Sequence, residues 1–92
     1  MAPRDVSLEE IKAEVCWRLK RRYCWGAKYL PSDSLVDWLG KLVKDDGKRV
    51  RTAIDQMVKE GILISHKKGR AVSLNPRRIR EIETLIKNQS AT

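Results

Sequence analysis

The chain contains no phenylalanine, two cysteines, one histidine and three prolines in 92 residues. Each scarcity excludes something. Two cysteines, Cys16 and Cys24, cannot build the multi-bridge framework on which small secreted domains rely, and they are read as reduced thiols packed like small apolar groups. A structural zinc site needs four Cys or His ligands at short spacings. Cys16, Cys24 and His66 are scattered and too few, so neither a metal nor a cofactor is expected. No apolar run is longer than Ile62-Leu63-Ile64, far short of the roughly 20 residues that a membrane span requires. The opening Met-Ala-Pro-Arg-Asp lacks the apolar stretch of a signal peptide, and a reducing cytoplasm is the expected location. A Gly-rich phosphate loop and a nucleophile with a local His signature are also missing, so no enzymatic activity is expected.

Positive charge, by contrast, is abundant. Lys and Arg number 20 against 12 Asp and Glu, for a net charge of +8. With 41% hydrophobic and 35% charged residues, the composition is that of a globular domain with a basic surface rather than a disordered tail. A chain of this length makes one domain, expected over 1–92, and buries only about two-thirds of its unfolded surface. That leaves little room for a catalytic cavity and points to a polyanionic partner. The surplus is uneven: residues 1–31 and 62–92 carry it, whereas residues 32–61 are balanced.

Ser7-Leu8-Glu9-Glu10 is a capping box. Ile11, Val15 and Leu19 follow at helical spacing with Leu8 and Cys16 beside them, while Lys12, Arg18, Arg21 and Arg22 fall elsewhere, which predicts a helix over 8–23. Gly26 and Pro31 leave residues 27–30 as a short extended piece. Ser32-Asp33-Ser34 offers caps for a second helix with Leu35, Trp38, Leu39 and Leu42 inward. Asp45-Asp46-Gly47 reads as a turn in which either Asp can cap the third helix, 48–60. That helix turns Val50, Ile54, Met57 and Val58 to the core and ends at Gly61. Ile62–His66 and Arg70–Leu74 form a hairpin about Lys67-Lys68-Gly69, with Val72 and Leu74 on one face. Asn75-Pro76 opens a last helix over 76–88, with Ile79, Ile82, Leu85 and Ile86 as its stripe and a frayed tail over 89–92.

The order helix, short strand, helix, turn, helix, hairpin, helix resembles the winged helix-turn-helix domains. The resemblance covers residues 7–75. It rests on the capped helix pair joined around Leu42 to Gly47, on the run Val50-Arg51-Thr52-Ala53-Ile54-Asp55-Gln56-Met57-Val58-Lys59-Glu60-Gly61-Ile62-Leu63, and on the basic hairpin after it. It implies an α+β, mainly α fold: a three-helix core, a short strand plus β-hairpin wing, and here a C-terminal helix. In members that bind double-stranded DNA, the second helix of the turn unit enters the major groove. Here that is 48–60. Arg51, Thr52 and Gln56 are then expected at bases, Lys48 and Arg49 at phosphate, and the tip residues His66, Lys67, Lys68 and Arg70 on the backbone or in the minor groove.

A small transcriptional regulator, cytoplasmic and nucleoid-associated, is the expected function. The alternative is a protein-interaction or RNA-binding module of a ribosomal or replication assembly. Asp55 fits poorly against phosphate unless it accepts from cytosine or holds a neighbouring Arg. Arg21 and Arg22, with Lys20, suit the end of their helix or flank the DNA. Arg77 and Arg78, with Arg80, oppose their helix dipole unless they meet an anion. The stripe on the last helix packs on helix one or is shared in a homodimer. Without Phe, the three Trp and two Tyr rings are assigned to the core, and Trp17 and Trp25 are the candidate exceptions.

Overall fold

The Ser7 hydroxyl accepts the backbone N–H of Glu10 at 3.2 Å, and the first helix starts where that cap closes it: α1 spans Leu8–Arg21. The computed structural model describes residues 7–40 and 47–90, with side chains described as far as Lys87. After α1 come β1 (Leu30–Pro31), α2 (Ser32–Gly40), α3 (Lys48–Glu60), β2 (Leu63–His66), β3 (Ala71–Leu74) and α4 (Ile79–Ser90). The fold is α+β and mainly helical. Its one sheet is antiparallel in the order β1-β3-β2. Leu63 faces Leu74 and His66 faces Ala71 on one edge of β3, while Leu30 faces Val72 on the other.

Local chemistry explains most boundaries. α3 occupies 48–60 as expected and ends at Gly61, whose φ of 84° suits a residue without a side chain. α1 stops two residues before the expected end. The Cys24 amide donates to the Leu19 carbonyl and the Tyr23 amide to the Lys20 carbonyl, each at 3.0 Å, which is the Schellman closure of a helix. The extended piece expected over 27–30 shortens to Leu30–Pro31, and Trp25 adds one bridge to Leu74. Asn75 does cap the last helical segment, its Oδ1 accepting the Arg77 amide at 3.0 Å. The first turn, Pro76–Arg78, is 3-10, and α4 then runs to Ser90, into the expected tail. Leu42 and the Asp45 and Asp46 caps lie outside the described residues.

The core is aliphatic. Ile11, Val15 and Leu19 of α1 meet Leu35 and Leu39 of α2, Val50, Ile54 and Met57 of α3, Val72 and Leu74 of β3, and Ile82 of α4. α1 lies against both α3 and α4. Three expectations about facing fail. The aromatic rings do not fill the core: Trp38 packs at its edge and Tyr29 and Tyr23 are exposed, Tyr23 by 75%, while Trp17, exposed, and Trp25, at the edge, are the two exceptions expected. Arginines cover two of the indoles instead, Arg18 over Trp38 at 4.6 Å and Arg21 over Trp17 at 5.2 Å. Ile79, expected inward, is 46% exposed, because the change from a 3-10 to an α period just before it rotates the stripe away.

Lys12, expected outward, is buried at 6% exposure. Its stem lies along apolar neighbours, and its Nζ sits 3.3 Å from Glu60 and 3.7 Å from Glu9. Removing Glu60 leaves a buried ammonium with only the longer contact. Glu60→Gln is therefore expected to lower unfolding free energy by about 1 kcal/mol, whereas Lys12→Met is neutral or stabilising. Urea denaturation of the two variants checks this.

Both cysteines are free and buried. Burial pushes the Cys16 thiol up from 9.0 to about 12, against a smaller opposing pull from the Lys12 charge. Between those two values the unfolded chain has released its proton while the folded chain retains it. Stability thus falls as pH rises above 9, by about 1.4 kcal/mol per pH unit from this group alone. The expected difference in slope between the native chain and Cys16→Ala, read from denaturation at several pH values, tests the assignment.

Candidate nucleic-acid interface

α3 begins without a side-chain cap. Gly47 holds the position at φ 90°, and a Cβ there would lie 2.8 Å from the Val36 side chain, so glycine is required where the chain crosses α2. No acid occupies the first turn. Lys48 and Arg49 stand there instead, adding two cations to the positive end of the helix, which suits an approaching anion. Lys48, Arg51 and Thr52 are exposed, and Arg49 and Gln56 are half-buried. The Thr52 hydroxyl donates back to the Lys48 carbonyl at 3.0 Å, and its oxygen can still accept a hydrogen bond.

Arg51 donates from Nη2 to Asp33 of α2 at 3.0 Å. The carboxylate that holds this arginine therefore comes from the neighbouring helix and not from Asp55. Asp55 instead lines a groove of about 200 Å³ between α3 and the hairpin, with Lys59, Ser65 and Gly69.

At the hairpin tip three successive residues adopt left-handed angles: Lys67 at φ 50°, Lys68 at φ 58° and Gly69 at φ 89°. For the two lysines this conformation costs about 1 kcal/mol each relative to glycine. Lys67, Lys68 and Arg70 are exposed. The tip is nevertheless tied down, because the Ser32 amide donates to the Arg70 carbonyl at 2.8 Å and the Ser32 hydroxyl to the Gly69 carbonyl at 3.0 Å. Ser32 is buried. The adjacent residue, Asp33, is the one that holds Arg51. Of two consecutive residues at the start of α2, Ser32 thus ties down the hairpin tip and Asp33 reaches α3 through an exposed ion pair.

His66 is placed differently from the rest of the tip. Its Nε2 lies 2.9 Å from the Ser73 hydroxyl, which itself donates to the Gly26 carbonyl at 2.7 Å. Since Ser73 spends its proton on Gly26, Nε2 must be the donor to Ser73. The imidazole also stacks on Tyr29 at 4.6 Å, and Lys67 Nζ lies 5.2 Å over the same ring. His66 closes β2 just before the turn, opposite Ala71, and its polar edge is turned inward to a buried serine.

The flanking arginines divide. Arg21 and Arg22 are exposed at the end of α1, with Arg21 laid over Trp17. Arg77 is exposed. Arg78 donates to both carboxylate oxygens of Glu81, at 3.1 and 3.2 Å, and its guanidinium lies beside Gly61. That is the far end of α3, about 18 Å along the axis from Lys48 at 1.5 Å per residue. Lys48, Arg51, Lys67, Lys68 and Arg70 therefore share one linked framework, which Arg78 does not join.

Ser32 and Ser73 are the positioning residues that sequence patterns did not single out. Ser32 had the signal of a helix cap only. Ser73 sat at an alternate position that a one-faced strand would expose, whereas β3 is buried on both faces. Among the described residues, no cluster of Cys, His, Asp or Glu is placed to hold a metal ion, and no helix is long and apolar enough to cross a membrane.

The Arg51–Asp33 pair is exposed on both sides, so its coupling is expected to be small. A double-mutant cycle with Asp33→Asn and Arg51→Gln should read about 0.2–1 kcal/mol in denaturation, which leaves Arg51 easily diverted to another acceptor. No family model, curated protein or solved structure matches this chain.

Proposed function

We propose that this chain is a winged helix-turn-helix domain that binds double-stranded DNA and acts as a small transcriptional regulator in the cytoplasm. In this proposal α3 enters the major groove and the Lys67–Arg70 tip follows the backbone or reaches the minor groove. The observation that carries it is the Ser32–Asp33 step, which joins the strained basic tip and the basic start of α3 into one surface. Two cationic elements set side by side match a ligand with regularly spaced phosphates. Arg51 exchanges Asp33 for the two acceptors of guanine, Gln56 reads adenine, and Thr52 offers its methyl group to thymine. Lys48, Arg49, Lys67, Lys68 and Arg70 contact phosphate.

Asp55, set in the groove between α3 and the hairpin, discourages phosphate from entering that gap and confines the backbone to either side of it. His66, at the end of β2 beside the turn, braces the hairpin through Ser73 and contributes little direct contact. Ile82 is fully buried and Leu85 and Ile86 pack at the core edge, so the α4 stripe is largely spent within the chain. A homodimer through α4 would have to use Ile79 and the outer edge of that stripe.

Titration of a labelled duplex at several salt concentrations tests the proposal. Five phosphate contacts predict a slope of log affinity against log salt of about −4 to −5. Replacing Lys67 with Asn and Lys68 with Gly removes two of them and should lower the slope by about 2 while stabilising the fold by about 1–2 kcal/mol, because the left-handed strain disappears. Arg51→Ala should instead flatten sequence preference with the slope nearly unchanged. Salt-independent binding, or binding to an A-form duplex that ignores Arg51 but needs the tip, would overturn the proposal in favour of an RNA-binding module.

A further inference from the structure

Helices α1 and α3 end in the same hydrogen-bonded closure. Ile62 and Gly61 donate to Met57 and Val58 at the end of α3, just as Cys24 and Tyr23 donate to Leu19 and Lys20 at the end of α1. The left-handed position of that closure favours glycine. α3 has Gly61 there, at φ 84°, but α1 has Tyr23, at φ 56°. The substitution gains the fold almost nothing, since the Tyr23 side chain is 75% exposed and makes no hydrogen bond among the described residues. A strained backbone position that carries a large exposed ring calls for a role outside folding.

The surroundings of that ring indicate the role. Tyr23 lines an open groove of about 480 Å³ with Trp17, Lys20 and Arg21 of α1, Trp25 just beyond it, and Ile86 of α4. Positions 17, 20 and 21 share one face of the helix. Three flat rings therefore converge with two cations, and no acid is among the lining side chains. Lys20 forms no ion pair among the described residues, and Arg21 is held by Trp17 alone, at 5.2 Å. Rings without an acid favour a planar occupant that is itself anionic. Nucleotides combine a π-face with a phosphate, and stacking on aromatic side chains beside a basic track is how unpaired strands are held.

We propose that this groove binds unpaired nucleotides of single-stranded DNA, with a base stacked against Tyr23 and the Trp17–Trp25 wall and its phosphate on Lys20 and Arg21. None of its lining residues comes from α3 or the hairpin, so the site is separate from the duplex surface proposed above and does not rest on it. It offers no carboxylate or amide to select a ribose hydroxyl, which places DNA ahead of RNA.

The test follows the three indole N–H resonances of the intact chain by NMR while an oligothymidylate of about ten nucleotides is added. The Trp17 and Trp25 signals are expected to move and saturate, and that of Trp38, outside the groove, to stay. Tyr23→Ala should weaken the binding read at those two signals by about 5- to 150-fold, the usual worth of one stacked base. Tyr23→Phe, which keeps the ring, should retain it. Tyr23→Gly should weaken binding like Tyr23→Ala yet raise the melting temperature, which excludes misfolding as the cause. Arg51→Ala should bind the oligonucleotide unchanged, so failure of the duplex proposal is distinguishable from failure of this one. The proposal is overturned if the Trp17 and Trp25 signals do not respond, or if Tyr23→Ala binds as tightly as Tyr23→Phe. It is equally overturned if oligouridylate binds tenfold tighter, or if the two signals move only on concentrating the protein, which would assign the groove to a second copy of the chain.

Discussion

Strand β3 is the constraint on which the rest of the structure depends. Its four residues are buried on both faces, so every backbone polar group along it must find a partner within the protein. β2 satisfies one edge over its full length and β1 only the far end of the other. The remainder of that second edge falls to the loop after α1: the Leu74 amide donates to the Cys24 carbonyl at 2.8 Å and the Leu74 carbonyl accepts the Gly26 amide at 3.0 Å. The early end of α1 follows from this. A helix continuing through residue 23 would carry Cys24 and Gly26 away from the strand that needs them.

The same constraint fixes the candidate duplex surface. Beyond the paired length of β3, Arg70 and Gly69 still present carbonyls toward the interior, and Ser32 meets both. Because Ser32 also opens α2, the need to satisfy two carbonyls orients a helix. Because Asp33 comes next, that orientation reaches Arg51 on α3. None of these bonds is strong singly, since a net hydrogen bond contributes only about 1 kcal/mol. They matter by geometry: the Ser32 bonds are made by a buried residue, and the exposed Asp33–Arg51 pair only continues the direction they set.

How much of this was legible in the sequence depended on whether the determining interaction was local. α3 could be placed at 48–60 from its own stripe and Gly61, and the hairpin from Gly69 between a β-branched run and an alternating one, because those signals lie within a few residues of what they determine. Asn75 and Ser7 likewise announced their caps. Lys12 could not be placed, since its burial is decided by Glu60 at the other end of α3. The two-sided burial of β3 depends on α1 and α2 covering what a hairpin alone would expose. Ile79 failed for a subtler reason: the residue types fit a helical stripe, but a 3-10 turn before it shifted the phase. Scarcity of Phe does not demand an aromatic core, because Ile, Leu, Val and Met supply enough volume without Tyr23, Tyr29 or Trp38 at its centre.

Among the described residues, three without glycine's freedom sit in left-handed backbone: Tyr23, Lys67 and Lys68. The chain does use glycine for such angles elsewhere, at Gly47 and Gly61, where a neighbouring side chain or a helix closure requires it. At the three exceptions the side chains are exposed and bury little, so the strain is not offset by packing. Each is also a position from which a side chain reaches outward from a rigid support, the hairpin clamped by Ser32 in one case and the closed end of α1 in the other. Strain that the fold does not need, on side chains that the core does not use, separates candidate binding positions from ordinary surface residues. By that criterion the chain has two such places, one cationic and one aromatic. They lie on different elements, and the difference in their chemistry matches the ligands proposed for them, phosphate backbone at the first and exposed base faces at the second.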